Sequence, residues 1–206
     1  MFTSVQDMET PAAAEQFKTA VQEGDADGLK ALFARHPELR SKVNEPWFSF
    51  DAPALVHAAG GGHRAMIDAL LDNGADINLR SRWWAGGTSP LQAVSVPMLS
   101  YNPDLAAYLI ERGAVVDTLA AAGLNMPEKL AALVEADPEV VHAQGTDGMT
   151  PLHLAATPEV ARFLVDHGAD INARDLDHHG TPAQWNVGGS EAVAAILRRH
   201  GAQDRA

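Results

Sequence analysis

Apolar residues lie along this chain in short helical bursts separated by glycine, proline and polar breaks. Phe17, Ala20 and Val21 share one helical face, Gly24-Asp25 interrupts, and Leu29, Leu32 and Phe33 continue the spacing. That pattern predicts a helix pair over residues 12–36, closed by His36-Pro37. Ile67 with Leu70-Leu71, Phe163-Leu164-Val165, and Val193 to Leu197 predict further helices. Gly74, Gly113, Gly168 and Gly201 mark four helix ends in register, because glycine takes the left-handed conformation that stops a helix. Leu119-Ala120-Ala121-Ala122, then Leu130 to Val134, predict one more pair, whose Asp137-Pro138 ending echoes His36-Pro37.

The clearest unit runs from Asp147 to Asp175. Thr150-Pro151-Leu152-His153 precedes Leu154-Ala155-Ala156, then Phe163-Leu164-Val165, then Gly168-Ala169-Asp170-Ile171-Asn172. Thr150 suits a helix N-cap and Pro151 the first helical position. Ala155 and Ala156 leave room for a close neighbour. This order of turn, small-residue helix, apolar helix and glycine stop resembles the ankyrin repeat, with its T-P-L-H-x-A core and a period of about 33 residues. The whole chain is similar to a bacterial-type array of such repeats. The resemblance implies an all-α ankyrin-repeat solenoid of about six helix-turn-helix units with extended finger loops, because one helix pair cannot bury its apolar face alone. The expected units are residues 10–50, 51–87, 88–118, 119–146, 147–180 and 181–206, forming a single domain over residues 1–206. The third carries Thr88-Ser89-Pro90-Leu91-Gln92-Ala93 and an extended loop from Pro97 to Pro103; the fifth is shortened after Ala156.

Composition narrows the function classes. With 206 residues and 46% apolar content, the chain has enough material for a stacked core. No cysteine is present, which excludes disulfides and thiolate metal sites and suits a reducing cytoplasm. The start, MFTSVQDMETP, is expected to be no signal peptide, and no run of about 18 uninterrupted apolar residues predicts a membrane span. A net charge of −12, from 27 acidic and 15 basic residues, speaks against nucleic acid as a partner. The pairs Arg198-Arg199 and Arg80/Arg82 are too sparse to change that.

The resemblance places the connections between units as fingers beside a concave face, where sequence is freest. Three connections are unusual. The first holds Glu45-Pro46-Trp47-Phe48-Ser49-Phe50-Asp51. The second holds Arg80-Ser81-Arg82-Trp83-Trp84-Ala85-Gly86-Gly87, and the third Asp175-Leu176-Asp177-His178-His179. Trp47, Phe48, Arg80, Trp83, Trp84, Asp175, Asp177, His178 and His179 are therefore the candidate binding residues, since aromatic anchors suit a ligand or partner hot spot. The bland alternative is that a long finger folds back and buries its own rings.

A carboxylate beside an imidazole can act as a general base, which makes Asp177 with His178, and Asp51 with His57, the catalytic candidates if the chain is an enzyme. Against this, Asp175 suits backbone turn contacts. His57 falls where the founding unit has Leu154, so a satisfied core histidine is expected there. His153 is expected to hydrogen-bond between neighbouring units, with Gln92 and Gln184 at matching positions. Trp185 is expected to fill core. No metal signature, phosphate loop or cofactor motif is present, so neither metal nor cofactor is expected.

Ankyrin arrays are binding scaffolds, so the resemblance implies recognition of a protein partner or small-molecule ligand on the concave, Trp- and His-bearing face. The rival reading is an acid–base lyase, isomerase or hydrolase with a closed pocket where the Trp83/Trp84 finger meets His178 or His57. A third is pairing of two copies through exposed aromatics; the residues leave the oligomeric state open.

Overall fold

The computed structural model describes residues 6–82, 86–96 and 100–203, with side chains from residue 12 onward and excluding 187–189. Helices follow one another in antiparallel pairs: α1 (Gln6–Glu23) with α2 (Ala26–Arg35), α3 (Ala54–Gly60) with α4 (Arg64–Leu71), and α5 (Pro90–Ala93) with α6 (Pro103–Glu111). Then come α7 (Thr118–Gly123) with α8 (Pro127–Ala136), the single α9 (Pro158–Asp166), and α10 (Pro182–Gly189) with α11 (Glu191–Arg199). Most are shorter than the roughly 12–15 residues an isolated helix needs to be even marginally stable, so stacking rather than propensity holds them.

Caps set the boundaries. Ser89 and Thr181 each form a reciprocal capping box with Gln92 and Gln184, and proline takes the first helical position after both. Asn102, Asp117, Thr157 and Ser190 cap α6, α7, α9 and α11. Pro103 thus opens α6 instead of ending the preceding loop.

The four helix-stopping glycines behave alike: φ is +92° at Gly74 and Gly168, +100° at Gly113 and +98° at Gly201. After each, the next amide reaches back five residues, as Ala75 to Leu70 and Ala169 to Leu164 do at 3.0 Å, closing the helix in a Schellman turn. Asparagines then tie one unit to the next. Asn44 Oδ1 accepts from the Asp76 amide, Asn78 Oδ1 from Val115 and Asn172 Oδ1 from Gln203, each at 2.8 Å.

Ala58, Ala59 and Ala120 to Ala122 are almost fully buried, which lets the first helices of successive pairs approach closely. One continuous apolar core runs from Ala13 to Leu197. A smaller cluster of Val96, Leu119, Met149 and Leu154 lies apart from it, with Trp185 packed against it.

Two departures from the expected pattern are local. The Thr150–Leu154 stretch is turns, not an α-helix: His153 and Leu154 donate to carbonyls three residues back. The first finger is a small antiparallel hairpin, β1 (Pro46–Phe48) and β2 (Ala52–Pro53), in an otherwise helical fold. Among the described residues, no helix is long and apolar enough to cross a membrane.

Candidate functional site

The hairpin shapes an open recess lined by several of the candidate residues. Phe50 and Asp51 at its tip both have positive φ, 65° and 51°, a conformation usually left to Asn and Gly in such turns. This turns Phe50 outward, 59% exposed. Trp47 folds inward instead: its ring lies 5.1 Å from that of Phe17, and its Nε1 donates to the Lys42 carbonyl at 2.7 Å. Phe48 stacks on His57, with ring centroids 4.3 Å apart and planes 12° from parallel. Hairpin, α1 and α3 together enclose an open groove of about 730 Å³, bordered by Gln22 and Lys18 from α1 and by Ser100 opposite.

His57 is the chemically distinctive group in this groove. It is half-buried, not in the core, and burial first, then the charge of His63, push its imidazole below the ordinary value of 6.5. Its partner is the Phe48 ring. Asp51 is exposed at the hairpin tip, and among the described residues no hydrogen bond or ion pair joins it to His57. No catalytic Asp51–His57 contact is made among the described residues; the His57 ring stacks on Phe48 instead.

Arg80 is a staple. It ion-pairs with Asp117 and donates to the Gly86 carbonyl at 3.1 Å and to Gln92 Oε1 at 3.2 Å. Gln92 Nε2 donates to the same Asp117 carboxylate at 2.7 Å. The guanidinium thus fastens the second finger to α5 and α7. Trp83 and Trp84 lie outside the described residues.

The third finger is built on Asp175, whose side chain is fully buried. Oδ1 accepts from the amides of Asp177 at 3.0 Å and His178 at 2.7 Å; Oδ2 accepts from the Gly180 amide at 2.6 Å and Trp185 Nε1 at 2.8 Å. All the carboxylate's acceptor directions are filled. Burial alone would raise its pKa, but these donors outweigh it and hold the group below the ordinary 3.8. Asp175 is an anchor, as turn chemistry foretells, and has no lone pair left for a proton or a metal. His178 Nδ1 stands 3.7 Å from Asp175 Oδ1, beyond a hydrogen bond, and its ring meets Trp185 edge-on at 5.4 Å. Asp177 is exposed, and His179 has a left-handed backbone whose carbonyl accepts from Arg174 at 2.7 Å. Neighbouring Asp147 is pushed above 3.8 by burial and then by the charges of Asp177 and Asp175. Among the described residues, no group of three or more such side chains is arranged to hold a metal ion.

His153 is buried and fully used. Its Nδ1 accepts from the Thr150 amide at 3.0 Å, so the proton sits on Nε2, which faces the Gly180 carbonyl at 3.2 Å. Burial pushes this imidazole below 6.5. Trp185 is only partly buried, and its indole N–H serves the neighbouring finger.

The predicted residues therefore separate into two places: Trp47, Phe48 and His57 at the hairpin groove, and Asp175 with His178 at the last finger. Lys18, Gln22 and His63 complete the groove and went unforeseen. Lys18 and Gln22 are far from the hairpin in sequence and reach it through the stacking of α1 on α3, while His63 comes from the turn that follows α3.

A family model of the ankyrin repeat matches residues 147–176, and a second one matches residues 51–79. The chain is 30% identical over 119 residues to "Serine/threonine-protein kinase VIK" of Arabidopsis thaliana, covering 56% of this chain and 27% of that protein. It is 31% identical over 119 residues to Rabankyrin-5 of Homo sapiens, covering 56% of this chain and 9% of that protein. The chain thus matches only a minor part of either relative's length. Ankyrin repeats are in general protein-interaction modules. Two matched repeats, residues 51–79 and 147–176, within a series of stacked, glycine-stopped helix pairs show that this chain carries ankyrin repeats.

Proposed function

We propose that the chain is a recognition module whose units act as one domain, and that it binds a protein partner on the face bearing the first finger. The observation that supports this best is the open groove of about 730 Å³ floored by the stacked Phe48 and His57 rings. Its volume falls in the range of roughly 300–1,000 Å³ typical of ligand sites. Aromatic rings offered by short, stacked elements give contact area at little cost in conformational freedom. The last finger serves the scaffold, because Asp175 spends its carboxylate on the finger's own amides and on Trp185.

A random peptide library selected on the wild-type chain tests this. Enriched peptides are titrated by fluorescence anisotropy against wild type, Phe48→Ala and Val115→Ser, the last at an exposed position remote in sequence from the groove. Loss of a stacked aromatic anchor should weaken binding about tenfold or more, roughly 1.4 kcal/mol, while Val115→Ser leaves it unchanged. Peptides that bind Phe48→Ala as tightly as wild type would place recognition elsewhere.

A further inference from the structure

The groove differs in charge from the molecule that carries it. Among the described residues, the ionisable side chains lining it are Lys18, His57 and His63, and none is a carboxylate. The chain as a whole has 27 acidic against 15 basic residues. The acids nearby sit around the groove, not in it. Glu15 pairs with Lys18 at 2.6 Å, Asp51 is at the exposed hairpin tip, and Glu23 and Asp25 flank Gly24, on which the His63 ring packs. The remaining lining includes the rings of Trp47, Phe48 and Phe50, the neutral hydrogen-bonding groups of Gln22, Ser49 and Ser100, and the small apolar wall of Ala52, Val56, Gly60 and Gly61.

Resting on the recognition reading above and narrowing it, we infer that the occupant is an extended peptide segment of a protein partner that sets an acidic side chain beside an aromatic or aliphatic one. The apolar side chain lies over Phe48, and the carboxylate faces Lys18, His57 and His63. Gln22, Ser49 and Ser100 supply partners for the peptide backbone, whose N–H and C=O groups need them once water is displaced. Charge complementarity selects this occupant. A basic segment would be drawn to the acidic surface everywhere, without preference for this groove. An acidic one is repelled by most of the surface and accepted where Lys18 and the imidazoles of His57 and His63 line the wall. That is specificity by rejection elsewhere as much as by local attraction.

The test uses three fluorescein-labelled octapeptides of one scaffold, with a central Phe beside Asp, Asn or Lys, titrated by anisotropy into the full chain. The expected affinity order is Asp, then Asn, then Lys, with at least about a tenfold span. Lys18→Glu, on a helix surface where a like-charged neighbour costs only a few tenths of a kcal/mol, should collapse or reverse that order. Phe48→Ala and Phe50→Asn, the second suited to a left-handed turn position, should weaken all three peptides. Equal affinities for the Asp and Lys peptides, both lost in Phe48→Ala and Phe50→Asn, would overturn the acidic preference while leaving the recognition reading intact. The Lys peptide binding tightest would overturn it too. Indifference of every peptide to Phe48 and Phe50 would overturn both.

Discussion

Asp175→Asn tests the architecture of the last finger. The substitution is nearly isosteric, yet it replaces one acceptor oxygen by an NH2 group. Either way the amide turns, two donors lose their acceptor: Asp177 and His178 amides on one side, or the Gly180 amide and Trp185 Nε1 on the other. Hydrogen bonds to a charged group contribute about 1.5–3 kcal/mol each. Exposed His178 and His179 beside the site let water relieve part of the loss, so roughly 2–4 kcal/mol is expected. With m of about 1–3 kcal/mol/M, the urea midpoint should fall by on the order of 1 M. Coupling in a stacked array is between neighbours, so amide exchange should accelerate in α10 and α11 and stay unchanged in α1 to α4. A shift below about 0.5 kcal/mol, with exchange in α10 and α11 unaltered, would refute the anchor role.

Two further outcomes follow from the geometry. Gly74→Ala and Gly86→Ala both force a side chain into left-handed backbone, costing about 1 kcal/mol, but only the second drives a Cβ to 2.0 Å from the Gln144 carbonyl oxygen. Thermal denaturation should therefore show Gly86→Ala worse by about 2 kcal/mol or more, and equal losses would contradict the close approach of the fingers. His153 and Asp175 both have folded pKa values depressed below their unfolded ones, so each contributes stability above its unfolded value that is lost as pH falls through the folded one. For His153 the loss begins near 6.5, for Asp175 near 3.8, while the raised Asp147 acts in the opposite sense only at the acid end. Urea midpoints for His153→Gln, the residue type found at Gln92 and Gln184, should fall less between pH 7 and pH 5 than wild type; an identical fall would remove His153 from the account.

The repeating frame was legible because each unit states its own punctuation. Gly74, Gly113, Gly168 and Gly201 announce helix ends by a conformation other residues resist, and Thr181-Pro182 and Ser89-Pro90 announce helix starts. Asp175 and His153 were legible for the same reason, since their partners lie mostly in nearby backbone. The site was less legible. Prolines at 46 and 53 and a Phe-Asp turn carry none of the usual hairpin signals, so β1 and β2 were hidden. His57 reads as a core residue in one dimension, and only the hairpin folding over α3 shows it stacked on Phe48. Trp47 shows the blander fate of a finger aromatic, packed inward on Phe17. Lys18, Gln22 and Ser100 join the groove through stacking between units, which no local pattern encodes.

The most direct measurement is the map of backbone amide shift changes when a selected peptide saturates the isotopically labelled chain. The account predicts changes concentrated at Trp47–Phe50, Val56–His63 and the Lys18–Gln22 turn of α1. Changes concentrated at Leu176–His179, or spread evenly along the helices, would contradict it.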